Sequence, residues 1–321
     1  MDQLLLTLRA AAEPTRLRLL ALAASGAFCV SEFSEILGQS QPRISRHLRL
    51  LHDAGLLERL REGVNAWFAL SASEAGTLVR ALLARVPDDD AVLEGDRRLA
   101  ARVLAERARA ASEDFRRQGA DWDELRALNL PAEAVEAALM PLLPPGPIGR
   151  VLDIGTGTGR LLEVLAPRVD QAIGVDASKA MLALARARLA RAGLTHCAVR
   201  LADMYRLPFA DAVFDVAVLQ MVLHHAEDPA LALAEAARVL RPGGVLAVVD
   251  LAAHARTDIT TRLAHRHAGF SESAMSALLR TANLSLSSPV RVPGSLDIHL
   301  WSTRKSAATP HDVQILEPVS S

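Results

Sequence analysis

Three kinds of residue are scarce in this sequence of 321 residues. Two cysteines, Cys29 and Cys197, cannot build a disulfide framework, so we expect a protein of the reducing cytoplasm. Aromatic residues make up only 3% of the chain, and Lys179 and Lys305 are its only lysines, so nearly all of its 36 basic side chains are arginines. Because 37 acidic side chains balance them, any nucleic-acid contact must come from a local basic patch.

The sequence also lacks a long hydrophobic run. The uncharged stretch over residues 19–31 has 13 residues, fewer than the roughly 18 that a membrane-spanning helix needs. We therefore expect a soluble protein with no membrane partner. Half of the residues are nevertheless hydrophobic, which excludes a disordered chain, and the length is typical of two domains.

Two proline-containing breaks divide the chain, one at Pro87 and one over residues 141–147. Between them, residues 91–118 are rich in Ala, Arg and Glu with charges on several faces, which predicts a long and largely exposed helix. We predict a first domain over residues 1–86, a connecting helix over 87–118, a second domain over 119–305 and a mobile tail over 306–321.

The first domain has the pattern of two short helices joined by a tight turn. A helix over residues 32–37 ends at Gly38, and Ser40 is expected to cap the second helix. Three apolar side chains recur at helical spacing along the second helix and are expected to face the core: Ile44, Leu48 and Leu51.

The other face of this second helix is basic. Residues 41–61 contain five arginines and two carboxylates. Arginines and short polar side chains on a helix bind phosphates and base edges in a DNA major groove, although a small helical domain can also expose a few arginines without this role. The residues that we predict to contact DNA are Gln41, Arg43, Ser45, Arg46, His47 and Arg61.

A β-hairpin is predicted over residues 59–70, turning near Gly63 and Asn65. This hairpin and the segment Ser-Gln-Pro-Arg-Ile-Ser-Arg-His over residues 40–47 resemble the ArsR/SmtB family of winged-helix repressors, and the resemblance covers residues 3–86. It implies a homodimer, paired through its terminal helices, on palindromic double-stranded operator DNA. Arsenic-sensing members carry Cys-Val-Cys where this chain has Cys29-Val30-Ser31. Because a hydroxyl is a poor ligand for a soft metal, we expect Cys29 to pack as a small apolar residue and bind no metal.

The second domain alternates short apolar runs with helical segments, which predicts a parallel α/β sheet. The fold class is therefore α/β, with an N-terminal winged helix–turn–helix and a C-terminal Rossmann-like sheet covered by helices on both faces. The runs lie at residues 151–154, 172–175, 199–201, 213–219, 245–249, 285–292 and 296–302.

A glycine-rich turn follows the first of these runs, with Asp153 before it and Gly155, Gly157 and Gly159 within it. Glycines there let a ligand approach the backbone at a helix N-terminus. The dinucleotide spacing fails, because the sixth position counted from Gly155 is Arg160 rather than glycine.

This motif resembles motif I of class I S-adenosylmethionine-dependent methyltransferases, and later motifs follow in the family's order. The resemblance implies binding of S-adenosylmethionine or S-adenosylhomocysteine. It places Asp176 at the ribose hydroxyls, Asp203 and Met204 at the adenine, and Gln220 at the end of the fourth strand beside the ligand.

The sequence assigns no catalytic residue. The candidates for a base near the transferred methyl group are Asp123, His224 and His225, and His224 has the alternative role of bracing the site through local hydrogen bonds. His254, His265 and His267 are loosely spaced, and we interpret them as solvated or core histidines rather than metal ligands.

Two functions follow from these patterns. The first is a DNA-binding regulator whose methyltransferase-like domain binds S-adenosylmethionine or S-adenosylhomocysteine as an effector. The alternative is an active methyltransferase of a small-molecule acceptor that carries its own DNA-binding domain.

Overall fold

The structure, a computed structural model, describes residues 2–62, 65–71, 73–87, 89–117, 130–263, 265–284 and 288–306. The N-terminal part combines helices with a small antiparallel sheet in the strand order β1-β3-β2. Its elements are α1 Asp2–Ala11, α2 Pro14–Ser25, β1 Phe28–Cys29, α3 Val30–Leu37, α4 Gln41–Asp53, β2 Leu57–Glu62, β3 Asn65–Leu70 and α5 Glu74–Leu83.

Local sequence sets the helix–turn–helix formed by α3 and α4. α3 ends at Gly38, whose φ of 64° lies in the left-handed region that favours glycine. Ser40 precedes α4 as predicted, but its side chain makes no capping hydrogen bond. Ile44, Leu48 and Leu51 are fully buried, which confirms the predicted core face, and β2 pairs with β3 as the predicted hairpin.

The long helix α6 (Ala91–Arg117) exposes most of the side chains described over residues 91–107, as the sequence predicted, but one narrow face of it is buried. Asp96, Ala100, Val103 and Leu104 are buried and recur at helical spacing along one face. The sequence did not indicate this buried face, because the charged residue Asp96 interrupts its apolar pattern. Arg18 of α2 holds its carboxylate through two hydrogen bonds of 2.7 Å, so α6 packs as part of the N-terminal core.

The C-terminal part is a seven-stranded sheet in the order β6-β5-β4-β7-β8-β10-β9. Strands β4 to β8 pair in parallel, whereas β10 is antiparallel to both β8 and β9. Its elements are α7 Ala132–Leu139, β4 Ile148–Ile154, α8 Arg160–Leu165, β5 Val169–Asp176, α9 Lys179–Arg191, β6 Cys197–Leu201, β7 Phe214–Gln220, α10 Pro229–Val239, β8 Leu240–Leu251, α11 Thr257–Arg262, α12 Glu272–Thr281, β9 Val290–Val292 and β10 Ile298–Arg304.

Alternate residues of the central strands face opposite layers of this domain. Val151 and Val216 pack in one core with α7, α8 and α9, whereas Leu152 and Ala217 pack in the other with α10 and α12. Burial on both faces explains why these strands read as continuous apolar runs. The late strand β9 spans Val290–Val292, and residues 285–287 of the predicted run lie outside the described residues. Within the described ranges, no helix is long and apolar enough to span a membrane.

The two parts of the chain share an interface. α6 packs along α9, and Ala190 of α9 contacts the N-terminal core. A cavity of about 160 Å³ lies beside this contact and is lined by residues of both parts, including Leu60, Leu104 and Leu189. The predicted tail beyond residue 306 falls outside the described residues, as does the boundary expected near residue 119.

Candidate functional site

The glycine turn between β4 and α8 opens one position to a ligand. All three glycines have positive φ, at 75°, 52° and 75°. A Cβ on Gly155 would lie 2.4 Å from a methyl carbon of Val222, and one on Gly159 would lie 3.1 Å from the Cβ of Ala185. At Gly157 a Cβ would meet no atom within 4 Å. Gly155 and Gly159 therefore serve close packing, whereas Gly157 faces open space.

Asp153 supports the turn from below. It is 1% exposed, and the Thr156 hydroxyl donates to its Oδ2 at 2.6 Å. Burial raises the pKa of Asp153 to about 7; the Thr156 hydrogen bond opposes this shift and the Asp176 carboxylate adds to it. The carboxyl group thus contacts the loop from inside the protein, where the sequence placed it only as part of a ligand motif.

Asp176 lies at the end of β5 and joins the glycine turn to the next helix. Its Oδ2 accepts from the backbone N–H of Gly157 at 2.9 Å, and its Oδ1 accepts from that of Ser178 at 2.7 Å. Ser178 caps α9 by accepting from the N–H of Met181. Burial raises the pKa of Asp176, and the two backbone hydrogen bonds oppose the shift.

Asp203 and Met204 follow β6 at the same edge of the sheet. Asp203 is exposed, and its Oδ1 accepts from the backbone N–H of Tyr205 at 3.0 Å, which orients the carboxylate within a tight turn. Met204 packs against the core formed with α10 and α12. Their predicted place beside adenine is compatible with these positions.

Gln220 is the last residue of β7, and the oxygen atom of its side-chain amide is not hydrogen-bonded within the described residues. Its Oε1 is buried and has no hydrogen-bond donor among the residues described. Met221, directly after it, has a φ of 54°, a strained backbone conformation for a residue other than glycine. Strain and an unsatisfied polar atom at one strand end are typical of a ligand site.

The three candidates for a catalytic base differ in their positions. His224 is fully buried, and its Nδ1 lies 2.6 Å from Oδ1 of Asp250, so it braces the ends of β7 and β8. The other oxygen of Asp250 accepts from the backbone N–H groups of Leu223 and His224. His225 is exposed, and Asp123 lies outside the described residues.

The later histidines surround this brace. His265 is buried, and His267 contacts the carbonyl oxygen of Ala226 through Nε2 at 3.0 Å. Burial lowers the pKa of His254, and the His265 and His224 imidazoles lower it further. His265 therefore belongs with His224 and His225 in space, a grouping that sequence spacing did not indicate.

On the N-terminal domain, α4 presents a basic surface. Gln41, Arg43 and Arg46 are exposed, and Ser45 is half-buried. The side chain of Arg61 lies outside the described part of the structure. The four described side chains keep the arrangement expected of a helix that enters a DNA major groove.

His47 corrects one predicted DNA contact. Its side chain is only 13% exposed and its Nδ1 lies 3.8 Å from Oε2 of Glu13, so it packs against the start of α2 instead of pointing outward. Burial lowers the pKa of His47, and Glu13 opposes this shift. The error arose because helical periodicity gave the direction of the side chain without the position of α2.

Trp67 of β3 marks the junction between the domains. The guanidinium carbon of Arg107 from α6 lies 4.4 Å from the centroid of the Trp67 ring. The guanidinium carbon of Arg186 from α9 lies 4.8 Å from the same centroid. Arg107 also pairs with Glu32 of α3. Sequence reasoning missed this junction because Trp67, Arg107 and Arg186 lie at least 40 residues apart in the chain and share no motif.

The fold and the site together define a winged-helix DNA-binding domain fused to a class I methyltransferase domain. Family comparison agrees: residues 13–59 match the bacterial regulatory protein family arsR, and residues 152–248 match a methyltransferase domain family. The chain therefore combines an ArsR-family helix–turn–helix domain with a methyltransferase domain, which confirms the predicted fusion.

Individual relatives match about a third of the chain. The chain is 41% identical over 118 residues to a 37.1 kDa protein of transposon TN4556 from Streptomyces fradiae, covering 36% of this chain and 34% of that protein. It is 37% identical over 101 residues to the methyltransferase YcgJ of Bacillus subtilis, covering 32% of this chain and 40% of YcgJ. The chain thus spans well under half the length of these relatives.

A solved structure shows the same fold. A chain from the complex between the Haloferax volcanii Trm112 methyltransferase activator and a methyltransferase is 19% identical, with a TM-score of 0.50. The match covers 62% of this chain and 99% of that chain.

The substitution Asp153→Asn tests whether the buried carboxyl holds a proton. The folded protein keeps this proton up to about pH 7, whereas an ordinary aspartate releases it near 3.8. The folded state therefore binds more protons between these values, and the free energy of unfolding should fall by up to about 1.4 kcal/mol per pH unit as the pH rises through them. Asparagine can still accept from Thr156 and removes this contribution.

Melting temperatures from about pH 5 to about pH 8 measure the effect. Relative to Asp153→Asn, the wild-type protein should lose stability as the pH rises, and Asp170→Asn at an exposed position should follow the wild type. Parallel curves for wild type and Asp153→Asn would show that the carboxyl is ionised in the folded protein.

Proposed function

We propose that this protein is a transcriptional regulator that binds double-stranded operator DNA through α4 and the β2–β3 wing, with S-adenosylmethionine or S-adenosylhomocysteine as the effector bound by its methyltransferase domain. The observation that carries the proposal is the junction at Trp67. It connects the wing strand to α9, the helix that begins beside Asp176.

The carboxyl edge of the sheet fits an adenosyl ligand. The backbone at Gly157 faces open space, Asp176 offers carboxylate oxygens to ribose hydroxyls, and the buried Oε1 of Gln220 lacks a donor. We assign the adenine side to Asp203 and Met204, in line with the family resemblance. When bound, S-adenosylmethionine supplies a methyl group on a sulfonium, whereas S-adenosylhomocysteine presents the same adenosine without that methyl group.

Ligand binding at Asp176 has a physical route to the wing. The same carboxylate holds the N–H groups of Gly157 and Ser178, so ribose hydroxyls change the hydrogen bonding at the start of α9. Arg186 lies eight residues beyond Ser178, about 12 Å along a helix that moves as a rigid body. A shift at the start of α9 therefore moves the guanidinium that contacts Trp67. Regulation requires only that the free and the DNA-bound conformations of the protein differ in affinity for the ligand.

DNA binding in this proposal rests on α4. Arg43 and Arg46 are exposed on a helix whose opposite face is fully buried, so the helix can present them without disturbing the core. Arginine contacts both phosphates and guanine edges in the major groove. The hairpin beside α4 supplies the wing.

Dimerisation in this proposal rests on α1, the terminal helix. Leu4, Leu5, Leu6 and Leu8 are all exposed, with Leu4 and Leu6 at 49%. A cluster of exposed leucines on one short helix is an apolar patch of the kind that marks a protein interface. A second copy of this chain covers the patch and places two α4 helices on the two halves of a palindrome.

A second function, methylation of a small molecule, is favoured by His225. Its exposed imidazole follows β7 at the carboxyl edge of the sheet, where a base for an acceptor hydroxyl or amine would stand. In this alternative the bound S-adenosylmethionine is a substrate, and the DNA-binding domain acts independently.

Fluorescence anisotropy with DNA from upstream of the protein's own gene tests the regulator directly, at fixed salt because DNA affinity depends steeply on salt. One of the two ligands, titrated separately, should change DNA affinity several-fold. Arg46→Ala should weaken DNA binding by about tenfold or more while cofactor affinity stays unchanged. Arg98→Ala, which removes an exposed arginine of α6, is the matched control and should bind DNA like the wild type.

Two outcomes would contradict parts of this proposal. If both ligands bind in calorimetry and neither changes DNA affinity, the effector role fails and the methyltransferase alternative takes its place. If Arg46→Ala binds DNA as tightly as the wild type, α4 is not the recognition helix.

The substitution Arg186→Met tests the route between the sites. Methionine fills a similar length of the buried contact but removes the charge over Trp67. Affinities for DNA alone and for ligand alone should remain within about threefold of wild type, whereas the several-fold effect of ligand on DNA affinity should fall below about twofold. Arg188→Met, on the same helix but paired with Glu163, should keep the full effect. A full ligand effect in Arg186→Met would exclude this route.

The paired substitution Leu4→Glu and Leu8→Glu tests the dimer. Charges on the exposed face of α1 should convert the protein to a monomer in light scattering and weaken binding to palindromic DNA by about tenfold or more, since one half-site contact is lost. Leu231→Glu introduces a charge at a similarly exposed leucine of α10 and should leave the mass unchanged. A wild-type protein that is already monomeric on DNA would refute the arrangement.

A further inference from the structure

Three histidines converge at the carboxyl edge of the sheet. One ring nitrogen from each of His224, His225 and His265 lies within 4.8 Å of those of the other two. The ring centroids are 4.3 Å apart for His224 and His225, 4.4 Å for His224 and His265, and 5.1 Å for His225 and His265. Three imidazoles so close together in a chain with ten histidines form a potential ligand set.

Asp250 orients the first of these imidazoles. Nδ1 of His224 lies 2.6 Å from Oδ1 of Asp250, so the N–H of this nitrogen is directed to the carboxylate, which fixes the orientation of the ring. A carboxylate behind a histidine is the usual support for a metal ligand, because it fixes the ring and strengthens the other nitrogen as a donor. The backbone N–H groups of Leu223 and His224 hold the second oxygen of Asp250 in place.

The backbone brings the third imidazole to the other two. The carbonyl oxygen of His224 accepts from the N–H groups of Arg266 and His267, both at 3.0 Å, and the N–H of His265 donates to Thr260 at 2.9 Å. These bonds fasten the segment after α11 onto the turn that follows β7. The proximity of His265 to His224 is therefore built by the fold.

We infer that His224, His225 and His265 form a binding site for a divalent metal ion of the Zn²⁺ type. Three neutral imidazoles are the donors that Zn²⁺ and neighbouring first-row ions prefer, whereas Mg²⁺ and Ca²⁺ prefer oxygen. Tetrahedral Zn²⁺ places ligand nitrogens about 3.3 Å apart, so binding draws the three rings together by small rotations.

The exposure of His225 leaves one side of this site open to solvent. Three protein ligands with an open fourth position are typical of a site that holds a water molecule or a ligand atom of a substrate. His224 and His225 follow Gln220 within five residues, so the site lies next to the carboxyl end of β7. This inference replaces our expectation from sequence that the chain binds no metal, and it stands independently of the proposed regulator.

Metal titration of the full-length, tag-free protein tests the site. After treatment with a chelator, the wild type should bind one equivalent of Zn²⁺ in competition with a chromogenic chelator, and Co²⁺ should give the visible absorption of a tetrahedral or five-coordinate nitrogen site. His225→Ala should weaken Zn²⁺ binding by at least about tenfold and abolish the Co²⁺ spectrum. Because His225 is exposed, this variant should remain folded, as circular dichroism can verify.

Two further variants decide the meaning of the result. Asp250→Asn should weaken Zn²⁺ binding by about tenfold, as expected for loss of the supporting carboxylate. His196→Ala removes an exposed histidine after α9 and should bind metal like the wild type. Binding by the wild type no tighter than by His225→Ala, or equal weakening in His196→Ala, would show adventitious surface binding and overturn the inference.

Discussion

The glycine turn and the start of α9 both depend on hydrogen bonds to the carboxylate of Asp176. It accepts from the N–H of Gly157 in the glycine turn and from that of Ser178 at the start of α9. The turn keeps its open position only while this carboxylate holds the backbone, because Gly155 and Gly159 are already committed to close packing. A single half-buried carboxylate therefore holds both the glycine turn and the start of α9.

Buried charges, more than apolar area, fix α6 between the two domains. Asp96 pairs with Arg18, and Arg107 pairs with Glu32 while lying over the indole of Trp67. Removing one member of such a pair leaves an uncompensated buried charge, which is strongly destabilising. The helix cannot slide along the N-terminal domain without breaking both pairs. The proposed regulation requires a displacement of α9 to reach the wing strand, and these pairs favour this route because they hold α6 in place.

Sequence patterns predicted the parts of the structure that local rules decide. The core face of α4 follows helical spacing, and the glycine turn follows from the conformations that only glycine adopts easily. The tertiary contacts of His47 and Asp96 were not predicted, because both residues are polar and their partners lie far along the chain. The pairing of His224 with Asp250, 26 residues apart, was equally invisible, since it forms only when β7 and β8 lie side by side. Periodicity assigns a face to a side chain, and only the tertiary structure tells whether that face is covered.

A methyltransferase scaffold suits a sensor because methyl transfer demands little from the protein beyond binding and alignment. The features proposed to hold an adenosyl ligand, at Gly157, Asp176 and Gln220, would serve an effector as well as a substrate. An effector differs from a substrate because its binding is coupled in free energy to DNA binding. This coupling is reciprocal. A ligand that weakens DNA binding by some factor is itself bound more weakly, by the same factor, when DNA is present. In the proposed regulator, operator occupancy and ligand occupancy report on each other through α9. Turnover, if it occurs at the same pocket, would convert S-adenosylmethionine into S-adenosylhomocysteine on the protein and so change which of the two ligands the wing responds to.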